Sequence, residues 1–241
     1  RDPATHGELI RTIGQSIFSA RSIPGNSHDA VVARDKDGYP LYLEIAPFPM
    51  IQKWRTDLPI ILENHGKFWM PETMANFEYA MPAIYLGMRL SWKSDEDPGE
   101  IISEMMGLFY GSAGDAMAQY YAHIDSAWTG SGEYAGDAWG YVKIFTPEIT
   151  LKARKLMDAA KMSCKTHRER ERVRIADECL QQLELFMKMR WDLLDGRVAQ
   201  LEADSERWCA NAIFLSELYQ KQYCFSKYGT RPEKCFSFLY F

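Results

Sequence analysis

The rhythm of apolar and polar positions changes near residue 95. Before it, short apolar runs are broken by Gly and Pro; after it, apolar residues recur every three or four positions over stretches long enough for helices. In the first part, Val31 to Arg34 and Leu41 to Ile45 are short, rich in β-branched or aromatic residues and bounded by turn formers, which predicts two strands. Between them Asp35-Lys36-Asp37-Gly38 offers an Asp-Gly reversal, so a hairpin is expected. After Pro47 and Pro49 the pattern predicts a short helix around Trp54, then a buried strand at Lys67-Phe68-Trp69-Met70 that stops at Pro71-Glu72.

The later helices are marked by their ends. Asp97-Pro98 supplies an N-cap and a first-turn proline for an apolar face running from Ile101 to Tyr110, with Gly111 as the stop. A second helix is predicted from Asp115 to Trp128. Thr146-Pro147-Glu148 repeats the start signal ahead of Ile149, Ala153, Leu156, Met157 and Ala160. Thr166 opens the longest helix, with Val173, Ala176, Leu180, Leu183, Met187 and Leu194 on one face, broken by Asp195-Gly196. A final helix is expected from Arg197 to Gln220. Connections this short favour antiparallel neighbours.

Composition adds that the chain folds: 241 residues with 46% apolar and 25% charged positions can bury a sizeable core. A net charge of −5, with Lys and Arg scattered among acids, argues against a nucleic-acid partner. No apolar run approaches the roughly 20 residues of a membrane span, so no membrane partner is expected. Arg1 opens the chain without a charged-then-apolar leader, and the apolar finish Phe236 to Phe241 would need covering, so a piece of something longer is expected. Neither compartment nor oligomeric state is fixed by these features.

Metal and cofactor chemistry find little support. Cys164, Cys179, Cys209, Cys224 and Cys235 lack zinc-type spacing and are expected to be free thiols. Asp35-Lys36-Asp37-Gly38 begins like a calcium loop, but the later ligands are missing, so no metal is assigned. Gly107, Gly111 and Gly114 do not form a phosphate loop, and no cofactor is implied. His28 and His65 follow Asn26 and Asn64 in polar loops and are expected to be solvated or hydrogen-bonded surface groups, and His6, His123 and His167 have no partners in the order a hydrolytic triad needs. The run Arg168-Glu169-Arg170-Glu171-Arg172 is expected to be a solvated helix face.

The acids that stand out are Glu44, Glu63, Glu72 and Glu78, placed among Trp54, Trp69, Phe77 and Tyr79. A carboxylate beside aromatic platforms suits a sugar site, the acid moving protons and the rings stacking on the sugar. Glu72 follows a strand-like run, the position where α/β barrels and open α/β sheets carry their working residues; its plain structural role would be to cap the helix that follows.

The succession Trp54 to Pro59, Phe68-Trp69-Met70-Pro71-Glu72, Tyr85-Leu86-Gly87-Met88-Arg89-Leu90-Ser91-Trp92 and Phe109-Tyr110-Gly111 resembles bacterial glycoside-hydrolase-like domains of unknown function, related to α-glucuronidases and β-hexosaminidases. The helices beginning at Pro147 and near Thr166 share the likeness, which covers roughly residues 40 to 200. It implies a mainly α chain: the C-terminal piece of a (β/α) barrel over residues 1–92, then an antiparallel helical bundle over 93–241. It further implies a carbohydrate substrate, Glu72 as catalytic carboxylate, Trp54, Trp69 and Glu44 as substrate-binding groups, and Arg89 as the partner of an acid. The second acid of a glycosidase pair is expected outside this chain, because two carboxylates must flank the bond. The competing expectation is a non-catalytic helical binding or interaction module, and a further one is a structural domain of a larger hydrolase.

Overall fold

A computed structural model describes residues 47, 49–63, 77–132 and 143–218. Among them the chain is mainly helical and no strand occurs. The helices are α1 (Ile51–Glu63), α2 (Phe77–Trp92), α3 (Pro98–Tyr110), α4 (Gly114–Gly130), α5 (Pro147–Ser163), α6 (His167–Leu194) and α7 (Val198–Leu218). A 3-10 turn, Gly111–Ala113, links α3 to α4. The strands expected at 31–34, 41–45 and 67–70, and the hairpin between the first two, lie outside the described residues.

Local signals in the sequence account for most helix ends. Asp97 accepts from the Glu100 N–H at 2.9 Å, and Pro98 occupies the first turn, where its missing N–H costs nothing. Thr146 caps α5 in the same way, and Thr166 with Glu169 forms a reciprocal capping box at the start of α6. The helix around Trp54 is α1, and the helix expected after Glu72 is described as α2 from Phe77 to Trp92.

Packing follows the apolar stripes. Ala153, Met157 and Ala160 of α5 and Val173, Leu180, Leu183 and Met187 of α6 are buried in one continuous core that reaches from Ile51 to Trp208. The pairings are antiparallel. Lys188, Gln182 and Glu178 on α6 meet Asp204, Trp208 and Asn211 on α7, so one number falls as the other rises. Arg154 meeting Glu184 and Lys161 meeting Asp177 give α5 and α6 the same sense. Leu194, expected on the apolar face of α6, is instead 65% exposed, because it sits in the last turn beyond the reach of the flanking helices.

The charge run at the start of α6 departs from expectation as well. Glu169 Oε1 accepts from the Ser112 N–H at 3.1 Å, while Oε2 lies 2.7 Å from Ser112 Oγ and accepts from Lys165 N–H at 2.7 Å and Thr166 N–H at 2.9 Å. Arg172 donates to the Phe109 carbonyl at 2.5 Å and lies over the Phe109 ring, closing the C-terminus of α3. The alternating charges therefore clamp the α3–α4 turn onto α6 as well as facing solvent. Where α3 and α4 meet, a Cβ on Gly114 would lie 2.9 Å from the Met106 carbonyl oxygen, so only glycine allows this approach.

Two predictions follow from the clamp. Gly111 has φ 58° and ψ −123°, and a Cβ there would lie 2.2 Å from Glu169 Oε1. Gly111→Ala should cost about 2 kcal/mol or more, read as a lower denaturation midpoint. The Ser112 hydroxyl first, then the Thr166, Ser112 and Lys165 N–H groups, hold the Glu169 carboxyl down to about 2 from an ordinary 4.5. A depressed folded-state value means that its stabilisation is present above about 4.5 and lost as pH falls through about 2. Acid unfolding of Glu169→Gln should lack that part of the pH dependence.

Candidate functional site

Among the described residues a cleft of about 360 Å³ opens between α1, α3 and α4. That is near the small end of the roughly 300–1,000 Å³ range of ligand pockets. Its floor is apolar, made by Ile102 and Met106 of α3 and Ala118 of α4. Around that floor stand Gln52 and Arg55 on the first turns of α1, Ser103 on α3, and Asp115 and Ser126 on α4.

None of these five side chains makes a hydrogen bond or close ion pair among the described residues, although the Arg55 charge acts on Asp125 at longer range. The two serines are informative. Helical Ser and Thr hydroxyls ordinarily bond back to a carbonyl one turn earlier, and Thr56, Ser91, Thr129, Thr150 and Ser163 all do so here. Ser103 and Ser126 do not, and both line the cleft.

Asp125 also lines the cleft but is committed. Its Oδ1 accepts from Ile51 N–H at 2.8 Å and its Oδ2 from Gln52 N–H at 2.9 Å, so a side chain of α4 caps α1. Burial raises its carboxyl above the usual range, against the two N–H groups and the charge of Arg55, which act to lower it. Trp128 Nε1 donates to the Pro47 carbonyl at 3.2 Å, a second tie between α4 and the segment entering α1.

The residues proposed from sequence fall in different places. Trp54 belongs to the core at 9% exposure, on α1 but not among the cleft residues, so its ring is packed rather than open for stacking. Arg89 donates to Glu96 through Nε and Nη2 at 3.1 and 2.7 Å, and through Nη1 to Glu104 at 2.8 Å and the Tyr85 hydroxyl at 3.1 Å. Those bonds, Glu104 foremost, raise its pKa and hold α2 against α3. Glu72, Trp69 and Glu44 lie outside the described residues. No family model, curated protein or solved structure matches the chain.

Sequence reasoning gave no role to Gln52, Arg55, Ser103, Asp115, Asp125 or Ser126. Ser103 and Ser126 are visible in retrospect as hydroxyls on otherwise small-residue helix faces. Asp125 leaves no local signal, because its partners are 73 and 74 residues away.

A second cluster of charge lies between α5 and α6. Asp177, 3% exposed, is paired with both Arg154 and Lys161, and Arg154 also holds Glu184 through two bonds at 2.9 and 2.6 Å. Burial works against the Arg154 charge, but the bonds to Glu184 and Asp177 outweigh it and its pKa rises. Nearby, the buried Tyr110 and Tyr121 hydroxyls share a 2.9 Å bond. Burial, followed by the neighbouring Tyr121, pushes the Tyr110 hydroxyl well above its ordinary range. No group of three or more His, Cys, Asp or Glu among the described residues could hold a metal. The cluster is filled and paired, which is the chemistry of a helix-to-helix joint. Arg154→Met should cost about 3 kcal/mol, because Asp177 and Glu184 lose their shared cation, and urea titration should give a lower midpoint with unchanged slope.

Proposed function

We propose that this chain belongs to a carbohydrate-active, glycoside-hydrolase-like protein, and that its helical array binds glycan in the α1–α3–α4 cleft without itself hydrolysing it. The observation that carries the reading is the set of five uncommitted hydrogen-bonding side chains around an apolar floor. A sugar ring needs this combination: its C–H face rests on Ile102, Met106 and Ala118, while its hydroxyls find a carboxylate, a guanidinium, an amide and two serines. The likeness of the Trp54–Pro59, Tyr85–Trp92 and Phe109–Gly111 stretches to glycoside-hydrolase-like domains supports the same substrate class.

Hydrolysis is assigned elsewhere on physical grounds. A glycosidase needs two carboxylates flanking the bond, about 5 to 9.5 Å apart. In this cleft Asp125 spends both oxygens on α1, which leaves Asp115 alone. Glu72 remains the proposed catalytic group, with Trp69 and Glu44 binding substrate beside it, as part of a barrel whose terminal piece is residues 1–92.

A second reading, a non-catalytic interaction module, is favoured by a different feature of the same groove. Gly99 and Ser103 on α3 and Gly114, Ala118, Ala122 and Ser126 on α4 are each spaced by four residues, giving two rows of small residues against which a partner helix could lie.

Calorimetric titration with uronic acids, N-acetylhexosamines and short oligomers of each separates the two. The glycan reading expects binding that Asp115→Asn weakens about tenfold, roughly 1.4 kcal/mol, with at most the small fall in Tm that comes from losing an exposed first-turn acid of α4. Glu72→Gln should leave this binding intact and remove turnover in any longer form that hydrolyses. No binding by any of these sugars would sink the glycan reading and leave the interaction module.

A further inference from the structure

The residue before α1, Met50, offers no side-chain acceptor and holds a left-handed φ of 47°, and the first N–H groups of any helix have no partner within the helix. Asp125 serves two of them from α4, one per carboxylate oxygen, at 2.8 and 2.9 Å. The carboxylate is 7% exposed, so these bonds have little competition from water.

The same turn of α1 carries what α1 gives to the cleft. Gln52 supplies one of the two N–H groups, and Arg55 is the next residue of α1 on that wall. Arg55 is also the charged group that acts on Asp125 from α1; α3 brings Ser103 and apolar residues to the cleft, but no charge. The position of Gln52 and Arg55 over the floor is therefore fixed by where Asp125 holds the helix start.

We infer that Asp125 is a positioning residue for the cleft: by clasping the first turn of α1 it sets where Gln52 and Arg55 stand, and so the width of the site. The part of this that concerns ligand rests on the glycan reading above; the clasp itself does not.

Hydrogen exchange and sugar titration of the full chain test both parts, with Asp125→Asn and Asp125→Ala. Asparagine keeps the size and one acceptor, so it remains informative if the alanine variant does not fold. In the free protein, amides at the start of α1 should exchange at least tenfold faster in Asp125→Asn, while those in the middle of α6 keep their protection. Sugars that bind the wild type should bind the variant about tenfold more weakly, and saturating sugar should slow α1 exchange in the wild type. Unchanged α1 exchange in the asparagine variant overturns the clasp. Faster exchange spread equally over α5 and α6 also overturns it, since Asp125 would then serve the whole core. Faster α1 exchange with unchanged sugar affinity overturns the positioning role. If the wild type binds none of the sugars, the glycan reading fails on its own, and exchange in the free protein still decides the clasp.

Discussion

A helix with neighbours on several sides cannot keep all its polar side chains in water, and α6 is built around that constraint. It packs against α3, α5 and α7, and Asp177, Gln182 and Asp192 are buried along it. Each is answered by a specific partner. Arg154 and Lys161 of α5 reach Asp177; Gln182 accepts from Asn211 of α7 at 2.8 Å; Lys188 lies between Asp192 and the buried Asp204 of α7, with Arg197 on the other Asp192 oxygen at 2.7 Å. An unpaired buried charge costs several kcal/mol, so sliding α5 or α7 by one turn would strand these groups. Apolar stripes make the helices associate, and the polar pairs select one register among the many that stripes alone would allow.

The sequence exposes the first of these and hides the second. Caps are local, so Asp97, Thr146 and Thr166 with Glu169 could be read from spacing alone, as could the stops at Gly111 and Gly196. Periodicity likewise marks Ala153, Met157 and Ala160 as buried. What spacing does not reveal is which charged residue meets which. Glu169 looks like one letter of a solvated Arg/Glu run, yet it holds a turn 57 residues earlier in the chain. Trp54 looks like an available ring, yet the amphipathic pattern of α1 turns it into the core. Arg89 was expected to serve an acid, and its partners Glu96 and Glu104 belong to the following loop and helix.

The cleft obeys the same logic with the opposite outcome. Where α3 and α4 approach most closely, Gly114 removes any side chain, and further along α4 Ala118 and Ala122 keep the face shallow. α1 crosses this face at its first turns, so the space between three helices is left open. In most of the array polar groups point at one another; here Gln52, Arg55, Ser103, Asp115 and Ser126 do not. Most of the buried acids of the array are paired across helices, whereas these five side chains line a concave surface without such partners.

Whether such a site hydrolyses or only binds depends on how its carboxylates are spent. Asp125 is buried and lies beside the cleft, which are features of a catalytic acid, and burial lifts its pKa as a general acid requires. But a general acid must have an oxygen free to deliver its proton to the leaving group, and both Asp125 oxygens face backbone N–H groups. A raised pKa alone would therefore misassign it. Hydrogen-bond geometry makes Asp125 part of the frame and leaves Asp115, among the described cleft residues, as the exposed carboxylate suited to accepting from hydroxyls.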